Sequence, residues 1–288
     1  MRSNSLWADA WRRLRKNRMA VACGAVVAFM CVFSFLGPIL VGWFSGIDSV
    51  SQDVKLGASA PSWQHWFGTD QLGRDMLVRT MEGGRLAIMV AIVGTAMSMI
   101  IGVTYGAIAG YLGGRADNAM MRFVDVMYAF PTLVFVIVVA AVLDSKSLIL
   151  LFALIGAISW LTMARIVRGQ VLSLRHREFV EAAQCVGAST PRILFKHIVP
   201  NCMGAIVVYA TATMPGVMLT EAFLSFLGVG VQAPKASWGT LVSEGARSIV
   251  IYPWMLIAPG IVMSITIFAL NFLGDGLRDA FDPQMRKD

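Results

Sequence analysis

The apolar residues of this chain fall into long runs that are separated by polar stretches. Six runs, at residues 20–44, 86–111, 123–143, 147–166, 204–228 and 253–273, come close to the roughly 20 residues that a helix needs to cross a bilayer. They show neither the alternation of a half-buried strand nor the 3.6-residue period of an amphipathic helix. The remaining segments are too small to bury a soluble core. The pattern predicts an all-α membrane protein with six transmembrane helices.

Composition supports this class of protein. Hydrophobic residues make up 57% of the 288 residues and charged residues only 14%, which is far too apolar for an ordinary soluble domain. We therefore exclude a soluble enzyme or a soluble binding module.

The charges of the polar stretches predict the orientation. Of the 24 Lys and Arg residues, 17 fall in one alternating set of segments, 1–19, 112–122, 167–203 with Arg165, and 274–288. The other set comprises 45–85, 144–146 and 229–252. Cytoplasmic segments carry the excess of Lys and Arg, so both termini are expected inside. A basic inner face beside anionic lipid accounts for the net charge of +7 without any nucleic acid.

The N-terminal segment 1–19 precedes an apolar run that is about twice the length of a signal-peptide core, and no A-x-A-like cleavage site follows that run. We therefore expect the run to be a retained first span. Apolar residues in the segment recur at helical spacing between basic ones: Leu6, Trp7, Ala10, Trp11 and Leu14. This predicts a short helix in the inner membrane interface, with a frayed tail as the alternative.

Catalytic and metal-binding chemistry is not indicated. The three histidines lack ligand spacing, and none of the four cysteines lies in a predicted external segment, so an exported disulfide framework is not expected. The sequence contains no G-x-x-x-x-G-K-[ST] loop. We expect no catalytic residue, no metal and no cofactor on this chain.

Small residues and prolines mark the predicted spans. Four glycines of the second span recur at multiples of four and predict a close helix–helix interface: Gly94, Gly102, Gly106 and Gly110. Two proline–glycine pairs predict kinks in the fifth and sixth spans: Pro215 with Gly216, and Pro259 with Gly260. Such kinks border a substrate path in some transporters and are inert in other membrane helices; both interpretations stay open.

Two acids fall within the predicted spans. Glu221 lies inside the fifth span, and Asp125 lies near the inner end of the third. An intramembrane acid is costly and is therefore a functional candidate. Glu221 could take part in proton coupling, or it could only hydrogen-bond to a neighbouring helix.

The cytoplasmic segment 167–203 is predicted to form two helices joined by a turn. The first helix covers about 175–186 and ends at Gly187, which can adopt φ > 0. Residues 189–191, Ser-Thr-Pro, start the second helix, about 192–198, and Pro200 with Asn201 ends it. The small side chains of Ala182 and Ala183 suit insertion into a groove, and Glu181 offers a charge to a basic partner.

The E-A-A-x-x-x-G order at 181–187, followed by Pro200, resembles the EAA loop of ABC importer permeases. Further matching segments are F-G-T-D-Q-L-G-R-D at 67–75, E-A-F-L-S-F-L-G at 221–228, S-W-G at 237–239 and N-F-L-G-D-G-L-R-D at 271–279. From about residue 66 to 283 the chain is similar to the C-type permease of the oligopeptide, dipeptide and nickel class. The chain has His197 where the general pattern places isoleucine; Ile198 follows one position later, as the peptide class tends to have it.

This resemblance implies a type I ABC importer permease fold with a cytoplasmic EAA helix–turn–helix, and a permease domain at about 84–274. Such a subunit forms half of a peptide path across a bacterial inner membrane, working by alternating access. The implied partners are a homologous second permease, two ABC ATPases that bind ATP and Mg, and an extracytoplasmic substrate-binding protein docking on segments such as 67–75 and 229–252. The alternatives are an ion-coupled secondary carrier and a same-class importer of nickel, glutathione or sugar-like oligomers.

Overall fold

The computed structural model of the chain describes residues 6–143 and 148–281. Its helices are α1 (Leu6–Lys16), α2 (Arg18–Phe35), α3 (Gly37–Ser45), α4 (Met76–Leu112), α5 (Gly114–Ala129), α6 (Thr132–Leu143), α7 (Leu148–Leu174), α8 (Glu178–Cys185), α9 (Thr190–Arg192), a π-helix (Ile193–Ile198), α10 (Val199–Phe226), α11 (Trp238–Arg247) and α12 (Trp254–Phe281). The predicted external turn at 144–146 lies outside the described residues.

Five helical segments within the described ranges are long and apolar enough to cross a membrane: Arg18–Phe35, Met76–Leu112, Phe152–Leu174, Thr190–Phe226 and Trp254–Phe281. A sixth crossing requires α5 and α6 together, and these two helices meet at 80°. The predicted all-α membrane fold is confirmed, but one of the six spans is a broken pair.

The prediction of one continuous third helix at 123–143 is wrong. The break falls at Phe130, whose backbone is extended at φ −78° and ψ 132°, directly before Pro131. A proline pushes the preceding residue out of the helical region and removes a backbone donor. Pro131 was the signal for this break.

The first predicted span, 20–44, is also divided. Helix α2 ends at Phe35, and α3 begins at Gly37 with Pro38 in its first turn. Proline is well accommodated there but cannot continue a preceding helix without the loss of a hydrogen bond.

Three other helices extend beyond their predicted spans. Helix α4 begins well before residue 86, because the Asp75 carboxylate caps it by accepting from the Val78 N–H at 2.9 Å. Helix α7 continues to Leu174, and α12 continues to Phe281. The polar segments between spans are therefore shorter than predicted.

Helix α4 lies at the centre of the fold and packs along α7, with its glycines at the contact. The glycines that face α7 are Gly102, Gly106 and Gly110. A Cβ atom at Gly102 would lie 2.8 Å from the carbonyl oxygen of Trp160, and one at Gly110 would lie 2.8 Å from that of Arg168. Because real Cβ atoms do not approach backbone oxygens so closely, a side chain at either position would push the two helices apart.

Helix α10 also packs on α4, where a Cβ atom at Gly94 would lie 3.1 Å from Val217 of α10 and 3.5 Å from Ile155 of α7. Both α10 and α12 continue without a break through their internal prolines, Pro215 and Pro259. A Cβ atom added at Gly216 or Gly260 would meet no atom of a neighbouring element within 4 Å. The prolines thus do not end either helix, and the kinks remain a prediction.

The N-terminal segment forms helix α1, so a frayed tail is excluded for Leu6–Lys16. Ala10 is buried, and the Leu14 side chain lies against Gly276 of α12. This helix therefore packs across the end of α12. Its location in the membrane interface remains a prediction.

Candidate coupling site and outer face

Helix α8 presents the first half of the E-A-A segment on its exposed side. Val180 is fully buried and fixes the rotation of the helix, while Ala183 packs against the same apolar cluster. Glu181 and Ala182 consequently point away from the protein and are exposed. Glu181 also lies in the first turn, where the helix dipole favours a carboxylate.

Gly187 ends α8 in a left-handed conformation, with φ of +76°. Its N–H donates to the carbonyl of Gln184 at 2.9 Å, and the N–H of Ala188 donates to that of Ala183 at 3.0 Å. These two bonds form a Schellman motif, which requires φ > 0 at this position. The prediction for Gly187 is confirmed, and the turn after α8 has a fixed geometry.

The second arm of the turn is continuous with a membrane helix. Ser189 occupies the predicted N-cap position, although its side chain makes no capping hydrogen bond. Helix α9 then passes through the π-helix into α10. The prediction that Pro200 and Asn201 end this arm is wrong. Pro200 lies in the first turn of α10, where a proline is tolerated. The preceding turn is a π-helix, whose i→i+5 hydrogen bonds differ from the i→i+4 bonds that a proline inside an α-helix removes.

A single apolar cluster anchors both arms of the turn to the membrane helices. Its buried members on α7, α8, the π-helix and α10 include Val167, Val171, Val180, Ile193, Leu194, Ile198, Cys202 and Ile206. Close packing of this kind resists deformation. The cluster therefore joins α8 to α7 and α10.

The surface above this cluster combines apolar and charged side chains. Phe179 and Phe195 are exposed, and Val186 is 88% exposed. Glu181 lies beside them on α8, and Lys196 lies on the π-helix. We call the exposed surface of residues 178–196 the coupling surface. Sequence reasoning did not single out these three apolar side chains, since only their exposure distinguishes them from core residues.

The opposite end of α4 carries a buried network of charges. The Asp70 carboxylate is buried, and its Oδ2 accepts from Arg74 Nε at 2.7 Å and from Arg79 Nη1 at 2.5 Å. Arg79 is only 3% exposed and also donates to Glu244 Oε2 of α11 at 3.1 Å. The charges of the 67–75 segment are thus satisfied mainly inside the protein.

Asp75 and Thr69 complete this scaffold. Besides capping α4, Asp75 pairs through Oδ2 with His65 Nδ1 at 2.8 Å. The carbonyl of Thr69 accepts from Trp254 Nε1 at 3.0 Å, which ties the segment to α12. We call residues 67–80 with α11 the outer plate, after the orientation that the charges predict. Much of the 67–75 segment that was expected to dock a binding protein is used internally, and the docking remains a prediction.

The segment before the outer plate is ordered by aspartate turns. Asp48 Oδ1 accepts from the backbone N–H groups of Ser51 at 2.5 Å and Val50 at 2.9 Å. These hydrogen bonds hold the pKa of the exposed Asp48 carboxyl below its usual range. Trp63 and Val250 are almost fully exposed in the loops around the plate.

Glu221 links α10 to the outer plate. Its Oε1 accepts from Ser225 Oγ at 2.7 Å and from Ser237 Oγ at 2.6 Å. Ser237 is the N-cap of α11 and accepts from the N–H of Thr240 at 3.2 Å. The acid is buried and hydrogen-bonded, so a structural role explains its place within a membrane helix.

Two arginine–aspartate pairs connect α5 to α7. Arg168 binds Asp117 in a bidentate manner, at 2.5 and 2.6 Å, and Arg165 Nη2 donates to Asp125 Oδ1 at 2.5 Å. Sequence reasoning did not predict these pairs. The opposite charges of residues 117–125 and 165–168 were a signal, but the sequence does not show that the two helices are adjacent.

Metal ligation finds no support in the part of the chain that the structure describes, where no group of three or more His, Cys, Asp or Glu side chains could hold an ion. The four cysteines are free: Cys23, Cys31, Cys185 and Cys202.

Comparison with known proteins gives two family matches. A family model described as "Binding-protein-dependent transport system inner membrane component" matches residues 102–287. A second, described as "N-terminal TM domain of oligopeptide transport permease C", matches residues 5–54. Together they cover most of the membrane helices and the coupling surface.

Curated relatives match almost the whole chain. The oligopeptide transport system permease protein OppC of Haemophilus influenzae is 46% identical over 99% of this chain and 91% of the relative. OppC of Bacillus subtilis is 45% identical over 99% and 92%. The dipeptide transport system permease protein DppC of the same species is 44% identical over 97% and 86%.

Proposed function

The chain belongs to the family of binding-protein-dependent transport system inner membrane components, and from that premise we propose that it is a permease subunit of an ATP-driven peptide importer. It would form half of a path through the bacterial inner membrane and alternate between outward-open and inward-open states. The names of the relatives support peptides as the substrate class.

The observation that carries the energy-coupling part of this proposal is the coupling surface. It joins an exposed E-A-A helix through a fixed Schellman turn to an arm continuous with α10. This construction suits the transfer of a rigid-body movement from a partner protein to a membrane helix. Glu181, Ala182, Ala183 and Gly187 would make or set the contact with an ATPase, and Pro200 would lie at the base of the arm.

The energy source would reside on other polypeptides. The sequence contains no phosphate-binding G-x-x-x-x-G-K-[ST] loop, so ATP and Mg would bind to two partner ATPase subunits. A homologous second permease would complete the path, and an extracytoplasmic binding protein would deliver the peptide. Each bound ATP can shift the equilibrium between states only by its differential affinity for them.

The proposed orientation places both termini and the coupling surface in the cytoplasm, as the excess of Lys and Arg predicts. Single cysteines at the exposed positions Ser51 and Ser189, in a cysteine-free background, would report the two sides. A membrane-impermeant thiol reagent should label Ser51→Cys from outside and Ser189→Cys only after permeabilisation. The reverse pattern would overturn the orientation.

Co-purification tests the proposal as a whole. The tagged chain, extracted from its native membrane, should bring down two ATPase subunits and a second permease. The reconstituted complex should then hydrolyse ATP faster when peptide-loaded binding protein is added. A chain that accumulates peptide in vesicles without these subunits, driven by an ion gradient, would instead be a secondary carrier.

A further inference from the structure

An exposed ion pair lies on helices that belong to candidate membrane spans. The pair joins Arg165 of α7 to Asp125 of α5, and the two side chains are 45% and 63% exposed. In the neighbouring pair, by contrast, Asp117 is buried against Arg168. Arg165 falls in the predicted cytoplasmic set and Asp125 near the inner end of its span, and a charge that faced hydrocarbon there would still be costly. The face with Arg165 and Asp125 is therefore expected to meet water or protein rather than lipid tails.

The ion pair has polar neighbours on the same surface. The guanidinium of Arg165 lies over the ring of Tyr128, 4.2 Å from its centroid. The Tyr128 hydroxyl in turn hydrogen-bonds to Thr162 Oγ1 of α7. We call these four residues the polar cluster. Its groups contact one another while most of them stay accessible.

Helix α5 separates its exposed polar and apolar residues onto two faces. The polar face carries Asn118, Arg122 and Asp125, which are spaced i, i+4 and i+7. The apolar face carries Phe123 and Val126, spaced i and i+3. A helix with two distinct exposed faces is suited to two different surroundings.

The polar face starts at the end of α5 that lies near the coupling surface. Gln184 of the coupling surface donates to the hydroxyl of Tyr111 at 3.3 Å, just before the α4–α5 junction. From that junction the polar face continues to the polar cluster, and the helix breaks at Pro131. A continuous polar face offers water a route from the inner side to Arg165 and Asp125.

We propose that the polar cluster lines the water-filled inner half of the translocation path, and that Asp125 and Arg165 contact the charged groups of a peptide in transit, on its side chains as well as at its ends. This inference rests on the proposed function. A peptide carries an ammonium and a carboxylate group, and the pair offers a complementary charge to each. Because the pair is exposed, an exchange of partners would bury no unpaired charge, and exposed ion pairs bind weakly. Weak contacts suit a path from which the substrate must leave.

Cysteine accessibility in the assembled complex tests the location of the cluster. The four native cysteines are replaced, and single cysteines are placed at Arg122, Asp125 and Thr162 on the polar side. Matched control variants carry cysteine at Phe123 or Val126. A charged, membrane-impermeant thiol reagent, added from the coupling-surface side, should modify the polar set about tenfold faster or more, because thiolate reactivity depends on access to water. Equal rates, or faster modification of the control set, would overturn the inference.

A charge exchange tests the contact with the peptide. The variant Asp125→Arg with Arg165→Asp restores an ion pair between α5 and α7 but reverses its polarity. If the pair contacts substrate, the ratio of uptake between lysine-rich and glutamate-rich tripeptides should shift, at saturating binding protein. If the pair only holds the helices together, the ratio should stay at the wild-type value, which would contradict the contact. Co-purification of the ATPases with each variant separates this result from a failure of the proposed function.

Discussion

The outer plate and the coupling surface lie at opposite ends of the membrane helices and use their polar residues in opposite ways. In the outer plate, Asp70, Arg79 and Asp75 are buried and bind one another or their neighbours. In the coupling surface, Glu181 and Ala182 are exposed, and the buried layer beneath them is apolar.

The difference shows that two segments with equally distinctive sequences can have different physical roles. A buried charge network determines the relative positions of the elements it joins and is costly to break. An exposed side chain on a rigid support contributes little to stability and can serve contact with a partner. Changes in the plate should therefore act on folding, and changes in the coupling surface should act on transport.

The largest effect is expected from Asp70→Asn. This change leaves the buried Arg79 without its closest carboxylate, and breaking a buried pair typically costs about 3–5 kcal/mol. The amount of folded protein in membranes and its unfolding midpoint in detergent should both fall. The matched control Asp53→Asn lies in the exposed outer loop and should change neither. If Asp70→Asn unfolded at the wild-type midpoint, the buried charges of the outer plate would not stabilise the fold, and the contrast with the coupling surface would be lost.

A second large effect, on transport, is expected from Gly187→Val. Open space surrounds the position where a side chain would lie, so the cost comes from the left-handed backbone, roughly 1–2 kcal/mol for a residue with a Cβ. We expect peptide uptake to fall sharply while membrane insertion stays normal. The control Gly169→Ala, also in open space but within helix α7, should transport normally. Normal uptake by Gly187→Val would argue against a fixed turn.

Glu181→Lys should act on coupling alone. The side chain is exposed, so its replacement should leave the unfolding midpoint unchanged while it reverses the charge offered to the proposed ATPase partner. ATP hydrolysis stimulated by peptide-loaded binding protein should decrease. Asp53→Lys makes the same charge change at the opposite end of the protein, where it removes only the local bonds from the N–H groups of Lys55 and Leu56, and serves as the control. Equal stimulation in both variants would exclude a role for the Glu181 charge.

The smallest effect is expected from Glu221→Gln. The amide oxygen can still accept from Ser225 and Ser237, so the loss should stay below about 1–3 kcal/mol. Uptake should survive with a modest decrease and should resist an uncoupler when ATP is held constant. Complete loss of concentrative uptake together with sensitivity to the uncoupler would favour an ion-coupled carrier.

Much of this architecture follows from local sequence. The length of the apolar runs predicted the membrane helices, and the position of Gly187 predicted the left-handed end of α8. The boundaries of α4, α7 and α12 were set too short, and the errors in helix continuity fell at prolines. Pro131 breaks a run that composition alone treats as uniform, whereas Pro200 does not end its helix. A proline in a first turn and a proline in an interior position look alike until the helix boundary is known.

Contacts between distant segments could not be predicted. Arg79 meets Glu244, and Arg168 meets Asp117, across elements whose adjacency depends on the packing of α4, α7 and α11. The exposure of Val186 depends likewise on the orientation of α8. The ion pairs between distant segments and the exposure of a side chain both depend on tertiary packing, and the helix propensity of single residues does not predict them.

The central claim is that the coupling surface is the contact site for the ATPases, and protection of Ala182 tests it most directly. A cysteine-free chain with Ala182→Cys is reconstituted with and without the partner ATPases, and Ser51→Cys in the outer loop serves as the control. Binding of the ATPases should strongly slow thiol modification at Ala182→Cys and leave Ser51→Cys unchanged. Equal modification of Ala182→Cys in both preparations, in a complex that hydrolyses ATP in response to peptide, would contradict the account.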